Sequence, residues 1–221
     1  MSNRLWVSLM VAMTIASASA RADSVIYIDQ TGDDFALTAT QIGDGNSMGT
    51  AQADLQFYGD GNTVTLYQSG DNNTIAAVVA GDNNTVDLKQ VGAGNSTTLT
   101  CSTPGACGGN QLTLWFTGDD NVGTVTVTNS NNALMAEVTG DNNTATITMG
   151  APGGIINLTA VGSGNAFTLS QSGSPATGHS ITIDHTGDTG TFSVTQTGSV
   201  TKVVSLTTVG LNVSVTVSQS D

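Results

Sequence analysis

The sequence predicts an all-β fold, a two-sheet β-solenoid with about 11 residues per strand-and-turn unit and about 22 per rung. Three observations carry this reading. A glycine followed three residues later by asparagine returns at a fixed interval: Gly70 and Asn73, Gly81 and Asn84, Gly92 and Asn95. Between these marks, apolar residues alternate with polar ones, the period of a strand with one buried face. The segment is rich in Thr, Val, Gly and Asn, which are poor helix formers, so the interval is not three helical turns.

Residues 1–22 differ from the rest. A polar start with Arg4, the apolar run LWVSLMVAMTIA and the small residues SASARA read as a secretory signal peptide, cleaved after Ala20 or Ala22. The run is too short to span a bilayer comfortably, and no later segment is long and apolar enough to try. Residues 23–221 are then a single exported repeat domain. Removing Arg4 and Arg21 leaves Lys89 and Lys202 against 17 acids, so the exported chain is even more acidic than the −13 of the full sequence. That charge disfavours nucleic acid and anionic lipid as partners.

The units follow in order. The first inward face is Ser24, Ile26, Ile28, Gln30, closed by Gly32, and Gln41 with Gly43 and Asn46 marks the next turn. After Gly59 come Asn62, Val64, Leu66, Gln68, then Asn73, Ile75, Ala77, Val79, then Asn84, Val86, Leu88, Gln90. Past Asn95 the same register runs from Asn110, Leu112, Leu114, Phe116 to Asn165, Phe167, Leu169, Gln171 without a slip. The last unit is Val213, Val215, Val217, Gln219. About seventeen units fill the chain after the leader, enough for eight or nine rungs. Extra residues enter near 48–56, 101–109, 174–178 and 199–203, which read as corner loops.

Each repeated residue type has a task in such a stack. Inward amides at the edges of the apolar pair are expected to form ladders on copies of themselves: Gln30, Gln41, Asn46, Asn62, Gln68, Asn73, Asn84, Gln90, Asn95, Asn110, Asn121, Asn132, Asn143, Asn165, Gln171, Gln196 and Gln219. Unpaired, they would be costly inside. Turns fall at Gly32, Gly43, Gly59, Gly70, Gly81, Gly92, Gly118, Gly140, Gly162, Gly173, Gly187, Gly198 and Gly210, where backbone freedom is needed. The first and last units look like ordinary members of the series, so both ends of the stack are uncapped edges open to head-to-tail polymerisation.

The unit resembles the curlin repeat of curli fibre subunits, S-x5-Q-x-G-x-x-N-x-A-x3-Q. Ser24, Gln30 and Gly32 fit its first half, and Gln41, Gly43, Asn46 and Gln52 carry the following spacing. Gln68, Gly70 and Asn73 repeat it, as do Gln90, Gly92 and Asn95. In the middle units Phe116, Val127, Val138, Met149 and Ala160 stand where the repeat has glutamine. The resemblance implies a bacterial extracellular amyloid, a homopolymer exported through an outer-membrane pore, nucleated at the cell surface by a curlin-type partner, and serving adhesion and biofilm.

Other features have simpler readings. Asp33, Asp44, Asp60, Asp71, Asp82, Asp119, Asp141 and Asp188 follow the turn glycines; calcium-binding β-rolls use a nine-residue clock, so these read as turn residues, and no cofactor or metal is expected. Cys101 and Cys107, six apart at an insertion of an exported chain, are expected to form a disulfide. His179 and His185 occupy ladder positions beside Ile181 and Ile183 and read as substitutes for edge amides. Outward Thr124, Thr126, Thr128, Thr144, Thr146 and Thr148 form an array that supports a rival function, a monomeric surface-binding or ice-binding solenoid. No nucleophile, base and orienter come together, so no enzyme is expected.

Overall fold

The computed structural model describes residues 10–16, 24–49, 55–101, 107–175, 177–187, 189–210 and 212–221. The expected cleavage positions after Ala20 and Ala22 lie outside these residues, as do Gln52 and Asp188. The fold is all-β: parallel strands wind into a β-solenoid of about eight turns, with about 23 residues per rung. The rung exceeds 22 because insertions lengthen some tiers. Asn73 stacks on Asn46 from 27 residues away and Asn110 on Asn84 from 26, while Asn95 stacks on Asn73 from 22.

The strands are β1 (Met10–Ala16), β2 (Val25–Ile26), β3 (Ile28–Thr31), β4 (Ala36–Ile42), β5 (Ser47–Met48), β6 (Leu55–Tyr58), β7 (Thr63–Ser69), β8 (Thr74–Ala80), β9 (Thr85–Val86), β10 (Lys89–Val91), β11 (Ser96–Cys101) and β12 (Val122–Val127). They continue with β13 (Ile147–Met149), β14 (Ser180–Thr182), β15 (Gly190–Thr191), β16 (Val194–Gln196), β17 (Val203–Ser205), β18 (Val213–Ser214) and β19 (Val217–Gln219).

Successive units alternate between two sheets. In sheet A, β1 pairs with β4, β4 with β7, and β7 with β9 and β10. Single bridges from Thr85 through Gln111, Ala133 and Ile155 to Ser180 carry this sheet on to β14 and β17. In sheet B, β2 pairs with β5 and β3 with β6, and both β5 and β6 pair with β8. The sheet continues through β11, β12 and β13, and bridges at Thr144, Ala166 and Gln171 reach β15 and β16, which carry β18 and β19. From Ser24 onward, sheet B both begins and ends the stack.

Alternation decides which residues meet between the sheets. In β7, Val64, Leu66 and Gln68 are buried while Thr63 and Thr65 face water. One apolar core runs along the stack, with Phe35 against Phe57 near its start and Phe167 stacked on Phe192 near its end. A strand with a single apolar face gains its stability from this closure, at roughly 25 cal/mol per Å² of apolar surface removed from water.

The middle of sheet A departs from the regular strands expected there. Residues 110–117 and 132–139 form no continuous strands: their backbone ladder is reduced to the bridges at Gln111 and Ala133 and single bonds such as Lys89 N–H to the Leu114 carbonyl at 3.1 Å, and Phe116, Met135, Glu137, Val138 and Thr139 take positive φ of 55°, 64°, 120°, 137° and 100°. The column that holds Gln41, Gln68 and Gln90 in earlier tiers holds Phe116, Val138 and Ala160 here. Side chains of unequal bulk have replaced amides that bond tier to tier, and the strand geometry loosens with them. No helix among the described residues is long and apolar enough to cross a membrane.

Candidate assembly interface

The inward amides meet as continuous hydrogen-bonded ladders. In sheet B, Asn46, Asn73, Asn95, Asn121, Asn143 and Asn165 stack, each later amide donating through Nδ2 to the Oδ1 before it at 2.9–3.1 Å. The same oxygen also accepts the backbone N–H of the later residue, at 2.9 Å from Asn73 and 3.0 Å from Asn121. In sheet A, Asn62, Asn84, Asn110 and Asn132 repeat the pattern, and the ladder closes on the backbone N–H of Gly154 at 2.8 Å. One oxygen taking two donors explains why Asn, and no apolar residue, holds this position.

Glutamine builds two further ladders, at opposite ends of opposite sheets. Gln41 donates to Gln68 at 3.0 Å and Gln68 to Gln90 at 2.9 Å in sheet A. Gln171 donates to Gln196 at 3.1 Å and Gln196 to Gln219 at 3.0 Å in sheet B. Gln41, Gln68, Gln90 and Gln171 each give their second N–H to a backbone carbonyl of the other sheet: Val25, Ser47, Thr74 and Ile155, at 3.1–3.2 Å.

Gln30 is placed differently. It is half-buried, stacks on Phe57 and donates to the carbonyl of Gly32 at 2.8 Å, with no amide above or below it in the chain. Ladder ends leave polar atoms unmatched: Gln41 Oε1, Asn62 Nδ2, Asn165 Oδ1 and Gln171 Oε1 are buried without a partner. Within the stack a ladder is interrupted where Phe35, Gly190 or another non-amide takes over its column.

The corners add a second set of contacts. Asp60, Asp71, Asp82, Asp119 and Asp141 each accept, through Oδ1, a backbone N–H of the preceding tier at 2.7–2.9 Å. Among the described residues no group of three His, Cys, Asp or Glu side chains is arranged to hold a metal. The turn glycines divide into two kinds. Gly32, Gly43, Gly59, Gly70, Gly81, Gly92, Gly173 and Gly198 have positive φ, whereas Gly118, Gly140, Gly162, Gly187 and Gly210 do not. What most of them share is contact: a Cβ at Gly118 would lie 2.5 Å from the Gly140 carbonyl oxygen, and one at Gly140 2.4 Å from that of Gly162. The glycines stack backbone on backbone, a requirement that turn chemistry alone did not reveal.

Cys101 and Cys107 are joined by a disulfide, with Cα atoms 6.0 Å apart, and both are buried. His179 and His185 are buried at amide positions. His179 Nε2 meets the carbonyl of Ser172 at 3.0 Å and its Nδ1 accepts the N–H of Lys202 at 3.3 Å, while His185 Nδ1 meets the Thr208 hydroxyl. Thr124 and Thr126 lie on Thr98 and Thr100 in the outward face of sheet B, and Thr148 follows Thr126.

The last corner is held by charge. Asp221 takes the Lys202 ammonium at 2.8 Å and the backbone N–H and hydroxyl of Ser199 at 2.9 Å and 2.8 Å. These donors, Lys202 first, hold the Asp221 carboxyl below the usual carboxylate range. A depressed value means that the contact contributes above the ordinary titration of aspartate and is lost only as pH falls through the lowered value. In an NMR titration, Asp221 is expected to have its midpoint below about 3.9, the unperturbed value, and Lys202→Met to move it up. A midpoint at or above that value in the unmodified chain would contradict the contact.

The comparison with known families falls on one of the most regular parts of this stack. Residues 59–92, from Gly59 through the Gln68 and Gln90 ladder to Gly92, match the family described as the curlin associated repeat. No curated protein and no solved structure matches the chain. The segment that matches is the one in which glutamine ladder, asparagine ladder and stacked glycines coincide, so it is over residues 59–92 that this β-solenoid is similar to the curlin associated repeat.

Proposed function

We propose that this chain is the structural subunit of an extracellular curli-like fibre, polymerising head to tail by strand addition and serving surface attachment and biofilm. The observation that carries the reading is the pair of unfinished ends. Ile26 and Ile28 at one end, and Val213, Val215 and Val217 at the other, occupy core columns but are only partly buried, where their counterparts within the stack are fully so. Edge strands with one wet apolar face and unpaired backbone groups are templates for another chain.

In this reading residues 1–22 are an export leader, and a curlin-type nucleator and an outer-membrane pore are the partners at the cell surface. The abundance of acids at the corners keeps the free subunit soluble, and salt speeds assembly by screening them. Purified residues 23–221 are expected to convert from monomer to unbranched fibres at neutral pH, with the lag removed by fragments of earlier fibres. A chain that remains monomeric by light scattering in the presence of such seeds would overturn the proposal.

A further inference from the structure

The two ends of the stack are complementary in a way that fixes how copies would join. Sheet B supplies the outermost strand at both ends of residues 24–221, because β1 adds to β4 in sheet A and leaves β2 and β3 uncovered. The inward face at one end is Ile26, Ile28, Gln30; at the other it is Val215, Val217, Gln219. Apolar matches apolar, and amide matches amide.

The glutamines give the pairing a direction. In the ladder Gln171, Gln196, Gln219, each amide donates to the next one along the chain. Gln219 makes the accompanying bond to a carbonyl of the other sheet, Val203 at 3.4 Å, and has no further amide to receive its second N–H. Gln30 at the far end uses its Nε2 on Gly32 and leaves its Oε1 free to accept. Within the chain Gln30 stacks on Phe57, so it has no ladder partner of its own.

We infer that copies join through sheet B, with residues 213–219 of one copy parallel to residues 24–30 of the next, Gln219 donating to Gln30. The inference rests on the fibre reading and specifies its register. It has a consequence for sheet A. In this register one strand position stays vacant between residues 203–209 of one copy and β4 of the next, and it is the position that β1 holds in the full chain. The alternative register, β17 directly on β4, would force the two end strands of sheet B into one place.

The test uses residues 23–221 with single cysteines at outward, solvent-facing positions of the end strands. Asp29 and Ser218 are brought side by side by the sheet B register, Thr38 and Ser205 by the sheet A alternative. Fibres grown from mixed D29C and S218C chains are expected to give disulfide-linked dimers on oxidation, and mixed T38C and S205C fibres are not. Neighbouring parallel strands put the first pair within the Cα range of a disulfide, about 4.4–6.8 Å. A second measurement uses charge at the ladder position: Q30K/Q219K is expected to elongate on seeds at least about tenfold more slowly than Q30K/Q219E, because like charges would face each other between copies.

Residues 30 and 219 sit at opposite ends of the stack, so this difference cannot arise within one copy. Fibres that cross-link through 38 and 205, or that show equal elongation of the two charge variants, would overturn the register and leave the fibre reading standing. Failure of the unmodified chain to form fibres would overturn the fibre reading, and the register with it.

Discussion

Gln68→Lys is expected to lower the unfolding free energy of the isolated chain by at least about 3 kcal/mol, the cost of leaving a charge buried without a counter-ion. Gln68 is fully buried and joins three groups: it accepts from Gln41 at 3.0 Å and donates to Gln90 at 2.9 Å and to the Ser47 carbonyl at 3.2 Å. Lysine can donate but cannot accept, so Gln41 loses its acceptor while an ammonium is set among Leu66, Leu88 and their neighbours. Urea unfolding followed by circular dichroism measures the change as a fall in midpoint at constant slope. Gln90→Lys is expected to behave alike, and both are expected to slow fibre growth sharply, since a subunit with a loosened stack offers an ill-formed template. An unchanged midpoint for Gln68→Lys would mean that the ladder does not hold the tiers together.

Gly70→Ala is the second large effect. Gly70 has φ of 100°, and a Cβ there would lie 2.1 Å from the carbonyl oxygen of Gly92 in the next tier. Both the left-handed backbone and the approach of two tiers resist a side chain, and neither neighbour is a flexible group that can move aside. The expected loss is about 3 kcal/mol or more, in the range of mutations that strain a packed backbone. Gly164→Ala separates the two causes. Gly164 also has positive φ, 71°, but a Cβ there meets nothing within 4 Å. Its cost is expected to stay near the 1–2 kcal/mol of left-handed strain alone, about. Equal losses at the two sites would show that tier-to-tier contact contributes nothing.

Much of this arrangement is legible in the sequence because the strand period is two and the unit is odd. The inward parity flips at each turn, so counting by two from Asn62 to Gly70, and restarting at Asn73 and again at Asn84, yields the core, both ladder positions and the stacked glycine directly. What is not legible depends on neighbours one rung away, about 22 residues off and further where a corner insertion intervenes. Gln30 fits the repeat as well as Gln41 does, yet its next tier carries Phe57, placed there by the insertion after Met48, and so it joins no ladder. The splitting of the glutamines into one ladder near the start of sheet A and one near the end of sheet B is likewise a property of columns, seen only once the tiers are stacked.

The glycines teach a related point. Turn chemistry accounts for Gly43 and Gly92, with φ of 108° and 95°, but not for Gly118 or Gly140. At these the cause is the close passage of the next corner, a long-range contact invisible to any local rule. The left-handed positions that turn chemistry seeks are shared with Asn72, Asn83, Asn131 and Asn142, at φ of 57–60°. The pairing of β1 with β4 has no local signature in the sequence either. The apolar run of residues 5–16 reads as a leader by its flanks, and the strand at Met10–Ala16 emerges only from the register of Val11, Met13 and Ile15 opposite Leu37, Ala39 and Gln41.

The measurement that tests the account most directly is fibre diffraction from aligned specimens of residues 23–221 grown at neutral pH. Polymerisation of intact solenoids through their end strands predicts a meridional reflection near 4.7–4.8 Å, about the spacing of successive tiers, with the stack axis along the fibre. Fibres whose strand spacing lies perpendicular to their axis, or a protein that keeps its β-structure but never leaves the monomer, would contradict it.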